Sequence, residues 1–213
     1  MSTSKPSLFI SFEGIDGCGK STQVKMLIKK FERKNIDYLL VREPGGTIIS
    51  EKIRKILLNK NLKEMSPRTE ALLMIASRAQ LTKEIIIPKL KDGCVIISDR
   101  YTDSTIAYQG AGRGLNIDLL DKFNNFATYE LKPDITFLID ISAKLASERR
   151  KKSELDRIEK VGNKFQEQVR DQYIKLASSN KNRFIILDGK PAPNYIHNLI
   201  WNNFKIAIKK RKL

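Results

Sequence analysis

The octapeptide Gly14-Ile15-Asp16-Gly17-Cys18-Gly19-Lys20-Ser21 constrains this chain more than any other feature. It follows the apolar run Leu8-Phe9-Ile10-Ser11-Phe12 and opens a stretch in which Val24, Leu27, Ile28 and Phe31 recur at helical spacing. Strand, glycine loop and helix, in that order, are the setting in which G-x-x-x-x-G-K-[ST] binds phosphate. Gly14, Gly17 and Gly19 let backbone N–H groups approach an anion closely. Ile15, Asp16, Cys18 and Thr22 complete the cradle. Lys20 is placed to reach the β/γ-phosphates and Ser21 to ligate Mg²⁺, with the helix N-terminus adding a favourable dipole. A plain glycine turn is the alternative, but every fixed position of the pattern is filled. The expected ligand is a nucleoside triphosphate.

Strand and helix patterns alternate along the 213 residues. Strands are expected at 7–13, 38–41, 94–97, 135–139 and 184–187, with the continuous apolar run at 94–97 and the strand at 135–139 expected to be buried on both faces. Helices are expected at 20–35, 48–58, 67–81 with an extension to about 90, 116–129, 164–178 and near the C-terminus. Ser66-Pro67 reads as an N-cap with a first-turn proline, and Glu70 lies near the position for a capping box. The fold class is α/β: a five-stranded parallel sheet with helices on both faces, in a single domain. Ligands of such sheets bind beyond the carboxyl ends of the strands. The phosphate loop, Glu43 and Asp99-Arg100 all fall there.

The net charge of +16 admits nucleic acid, an anionic membrane or anionic small substrates. The basic residues spread over helix faces rather than forming a stripe with interleaved aromatics, which favours a solvated lysine-rich surface without nucleic-acid binding. No apolar run has the length of a membrane span, and the N-terminus has no apolar signal core. Two cysteines, Cys18 and Cys94, suit a reducing cytoplasm and no structural disulfide.

A second constellation runs from Asp99 to Gly110. Asp99 ends a strand where phosphate-loop enzymes hold a Mg²⁺-linked carboxylate, and Arg100 beside it suits a bidentate phosphate clamp. Thr105, Tyr108 and Gln109 offer a hydroxyl, an aromatic face and an amide, which suit a base and sugar. The charged run from Glu148 to Glu159 reads either as a solvated helix end or as a lid carrying cations over transferring phosphates.

Taken jointly, these segments resemble thymidylate kinases, from Phe9 to about Leu187. The matching residues run from Phe12-Glu13-Gly14 through Gln23, then Arg42-Glu43-Pro44-Gly45-Gly46-Thr47 and Ala76-Ser77-Arg78-Ala79-Gln80. They continue through Asp99 to Gly110 with Arg113-Gly114, Glu154 to Glu159, and Val169-Arg170 before Tyr173. The resemblance implies the nucleoside-monophosphate-kinase fold, transfer from ATP to dTMP, and a homodimer. By position it implies that Asp16 binds the sugar 3′-hydroxyl and Arg100 the 5′-phosphate. Arg78 faces thymine with Thr105 and Gln109, Glu43 belongs to the acceptor site, and Tyr108 lies against the sugar. Because Gly17 occupies the loop position where some members carry arginine, Arg149, Arg150 and Lys152 of the lid, at about 148–160, supply the transition-state cation. Met74 stands where phenylalanine commonly stacks on the base. A thymidine-directed kinase and a nucleic-acid-stimulated ATPase are the remaining alternatives.

Overall fold

The computed structural model describes residues 7–150 and 162–210. Five strands form one all-parallel sheet in the order β2-β3-β1-β4-β5: β1 Leu8–Glu13, β2 Tyr38–Arg42, β3 Val95–Asp99, β4 Ile135–Asp140 and β5 Phe184–Asp188. The inner strands β1, β3 and β4 are buried along nearly their whole length, as their unbroken apolar runs require. The edge strands β2 and β5 alternate with partly exposed residues.

The helices are α1 Lys20–Arg33, α2 Ile48–Leu58, α3 Pro67–Leu81, α4 Ile87–Lys91, α5 Thr102–Thr105, α6 Ile117–Thr128, α7 Ala143–Arg150, α8 Asn163–Ser179 and α9 Pro193–Lys210. The main core lies between the sheet and α1, α8 and α9, where Phe12 meets Phe137 and Phe31 meets Phe204. Ser66 caps α3 as expected, its hydroxyl accepting the Thr69 N–H at 3.2 Å. Glu70 is buried and accepts from Gln109, in the segment after β3. The extension of α3 is a wider helical turn over Thr82–Ile86 before α4. A short helix and a second wide turn, Ile106–Gly112, carry the segment after Asp99. Both cysteines are buried and free. Among the described residues no helix is long and apolar enough to cross a membrane.

Candidate active site

The loop after β1 turns through glycines at φ +134° (Gly14), +88° (Gly17) and +107° (Gly19), conformations that side chains resist. Two of them also lack room for a Cβ. At Gly14 it would meet the Ile139 carbonyl oxygen at 2.6 Å, and at Gly17 the Ala146 carbonyl oxygen at 2.5 Å and Arg150 Cγ at 2.9 Å. Helix α7 therefore packs directly on the loop, with Gly17 as its seat. Lys20 Nζ lies across the loop, donating to the carbonyls of Gly14 at 2.9 Å and Ile15 at 3.1 Å. Ser21 and Thr22, at the start of α1, are exposed.

Arg100 joins this loop to the segment after β3. It adopts φ +74°, a costly conformation for a non-glycine residue and one typical of functional positions. Its N–H donates to Phe12 O at 3.1 Å, and its carbonyl accepts from Ser98 Oγ at 2.6 Å, which holds that geometry. Nη2 pairs with Asp16 at 2.5 Å and donates to Tyr108 Oη at 3.0 Å, while Nη1 donates to Gly14 O at 3.1 Å. The Tyr108 hydroxyl in turn donates to Asp16 at 2.8 Å. Burial pushes the Asp16 carboxyl up, but Arg100 and Lys20 outweigh it and hold the group down at about 2. Asp16 is thus ionised at neutral pH.

Beneath Arg100 lies a buried carboxylate, Glu13. It accepts the Tyr101 N–H at 2.7 Å, the Ser104 hydroxyl at 2.7 Å and the Tyr173 hydroxyl at 2.8 Å. Burial first, then the nearby Asp103 charge, push its carboxyl up to about 7, against the pull of Arg100. Burial also pushes the Tyr108 and Tyr173 phenols well up, so both remain O–H donors. On the far side, Arg183 donates to both Asp103 oxygens at 2.8 and 2.7 Å and to Thr136 at 2.7 Å, fixing the start of α5.

Arg78 is only 2% exposed. Its guanidinium donates to Glu43 at 2.7 Å, Thr105 Oγ1 at 2.7 Å, Asn124 Oδ1 at 2.7 Å and the Tyr101 carbonyl at 3.0 Å. It holds Glu43, Thr105 and Asn124 in place and also lines the cavity. Burial raises the Glu43 carboxyl, while Arg78 draws it down. Gln109 Nε2 donates to Glu70 at 3.0 Å, and Arg113 grips the same carboxylate at 3.1 and 3.2 Å.

A cavity of about 860 Å³ joins the loop to Arg78, Arg100 and the segment after β3. The residues from Asp16 to Thr22 line one end, with Arg149 and Arg150 beside them; Met74, Arg78, Thr105, Tyr108 and Gln109 line the other, and Asp99 and Arg100 lie between. Arg149 donates to the Gly189 carbonyl at 3.0 Å, bridging α7 to the turn after β5. Lys152 and the rest of the expected lid to residue 160 lie outside the described residues. Sequence spacing places Tyr173 on the apolar stripe of the 164–178 helix and gives Glu13, Asn124 and Asp103 no role of their own. A carboxylate inside an otherwise apolar strand was the one local signal.

The profile of the thymidylate kinase family matches residues 12–200. The chain belongs to the thymidylate kinase family. It is 50% identical over 190 residues to the thymidylate kinase of Fervidobacterium nodosum, covering 89% of this chain and 94% of that protein. It is 43% identical over 204 residues to that of Kosmotoga olearia, covering 95% and 98%. The crystal structure of thymidylate kinase from Ehrlichia chaffeensis superposes with a TM-score of 0.78 at 32% identity, over 93% of this chain and 99% of that one. The fold is accordingly that of the phosphate-loop nucleoside-monophosphate kinases, and the activity class is phosphoryl transfer.

Proposed function

We propose that this chain transfers the γ-phosphoryl group of ATP to dTMP, giving ADP and dTDP. The observation that carries the reading is the junction at Arg100. One guanidinium touches Asp16 and Gly14 of the phosphate loop while standing beside Tyr108 and Ser104 of the opposite wall. A clamp for an acceptor phosphate built into the donor loop suits a reaction in which two phosphates must meet.

In this reading the loop from Gly14 to Thr22 cradles the ATP phosphates, and Lys20 leaves the Gly14 and Ile15 carbonyls to neutralise them. Arg100 takes the 5′-phosphate of dTMP. Asp16, ionised and already an acceptor for Tyr108, takes the 3′-hydroxyl. Tyr108 lies along the sugar and disfavours a 2′-hydroxyl. Thr105 and Gln109, with Arg78 held by Glu43 behind them, read the base, and Met74 packs on its face through its thioether. The acceptor is an ionised phosphate, so no general base is needed, and positioning with charge neutralisation carries the rate.

Mg²⁺ fits this oxygen-only donor set: the Ser21 hydroxyl and the Asp99 carboxylate would hold it. When bound it supplies charge neutralisation at the phosphates. In this reading Arg149 and Arg150, with Lys152 from outside the described residues, supply the lid cations for the transferred group, within one domain.

The homodimer belongs to the same proposal. Ile49 and Ile56 on α2, Leu72 on α3 and Phe126 on α6 are exposed on three helices that pack side by side, with Phe126 at 86%. Apolar patches of this kind mark interfaces in soluble proteins. With two free buried cysteines, a reducing cytoplasm is the compartment we assign. A coupled ADP-release assay with ATP, Mg²⁺ and separate acceptors tests the reading: turnover with dTMP far above thymidine, UMP and AMP supports it. Turnover favouring thymidine, or none with dTMP, overturns it.

A further inference from the structure

We infer that Glu70 is a positioning residue that sets the hydrogen-bond polarity of Gln109, so that the cavity accepts a 4-oxo pyrimidine and rejects a 4-amino one. The inference rests on dTMP as the acceptor and names what selects its base.

Glu70 sits in the first turns of α3, 1% exposed, with Arg113 Nε and Nη2 on its two oxygens. Gripped in that fork it is a carboxylate, and a carboxylate only accepts hydrogen bonds. The Gln109 group facing it at 3.0 Å must therefore be the NH₂ end of the amide. Oxygen and nitrogen of an amide are otherwise interchangeable in shape; here an acceptor-only partner removes the ambiguity. The carbonyl Oε1 is left as the opposite end of a side chain that is 2% exposed and lines the cavity.

Thr105 lies on the same wall, its Oγ1 accepting from Arg78 Nη1 at 2.7 Å; a second lone pair and the hydroxyl proton remain, so it can meet a donor or an acceptor. The discrimination therefore falls to the fixed acceptor at Gln109. A 4-oxo pyrimidine presents an N–H at N3, which the Gln109 carbonyl can accept. A 4-amino pyrimidine presents a bare N3 acceptor there, so acceptor meets acceptor. Sites built to bond a substrate N–H reject an analogue lacking it by about 10⁴-fold.

The test compares kcat/KM for dTMP and dCMP, with ATP and Mg²⁺, in the wild type and in Glu70→Gln. Glutamine keeps the shape but donates as well as accepts, which frees Gln109 to turn over. The expected result is a dTMP:dCMP ratio lowered by about tenfold or more, with the KM for ATP unchanged. An unchanged ratio overturns the inference, whether activity is retained or lost equally for both acceptors, since a merely structural role scales both. Should thermal melting show that Glu70→Gln does not fold, Arg113→Met, which releases the fork from Glu70, is read in the same way. A wild type that turns over dTMP while the variants keep its ratio defeats this inference alone; a wild type inactive with dTMP defeats the functional reading as well.

Discussion

Gly17 and the end of α7 occupy neighbouring space, and that contact links two expectations drawn from sequence. A residue with a side chain at position 17 would collide with Ala146 and Arg150, at a φ of +88° that already favours glycine. The glycine at position 17 and the approach of Arg150 from α7 are one structural fact. Gly17→Ala should lower the melting temperature and cut kcat more than a surface Gly→Ala change would; a variant with wild-type melting and kcat would remove the contact from the account. Glu13 makes a second prediction, and its sign follows from proton counting. Its carboxyl titrates near 7 in the folded chain against an ordinary 4.5, so between those values the folded state binds more protons. Its contribution to stability is therefore greatest below about pH 4.5 and is lost as pH rises toward about 7. In Glu13→Gln that slope should vanish, which melting curves across the window will check. An identical slope in both proteins would assign the titration elsewhere.

The elements that were legible are those whose own residues declare them. The apolar runs of β1, β3 and β4 and the helical stripes of α1, α2 and α8 lie within two residues of where periodicity puts them. Helix α5 and the wide turn after it were not legible, because their polar residues are satisfied from afar: Ser104 by Glu13, Asp103 by Arg183 and Tyr108 by Asp16. The surroundings of Glu70 are hidden for the same reason. Local spacing suggested a cap, whereas its partner Gln109 lies 39 residues on. The candidate site was legible at the loop and at Asp99-Arg100, where motif spacing is rigid. The groups that orient them were hidden, since nothing in the spacing says which buried carboxylate meets which donor. Replacing Arg149 and Arg150 of α7 together with Lys152 by Ala should reduce kcat by about 10³-fold while changing dTMP affinity far less, as for cations that stabilise a transferring phosphoryl group. Steady-state kinetics with dTMP titrations measure both, and an unchanged kcat would contradict the lid assignment.

Across the whole molecule, sheet order brings the carboxyl ends of β1, β3 and β2 to one edge, with Phe12, Asp99 and Arg42 in register. The glycine loop and the segment after β3 thus share one cavity. The opposite consideration, what the outer surface does, rests on α2, α3 and α6. Phe126→Glu should shift the protein toward monomer in sedimentation, with melting of the monomer cooperative. An unchanged sedimentation coefficient at the same concentration would leave that face without a partner copy. The central claim is that Arg100 ties an acceptor phosphate to the loop that holds the donor. It is tested most directly by measuring kcat/KM for dTMP and for thymidine in the wild type and in Arg100→Met. The account predicts that the wild-type preference for dTMP falls by about 10²-fold or more, the loss of a charge-assisted bidentate clamp. A variant that keeps the wild-type preference for dTMP over thymidine would contradict it.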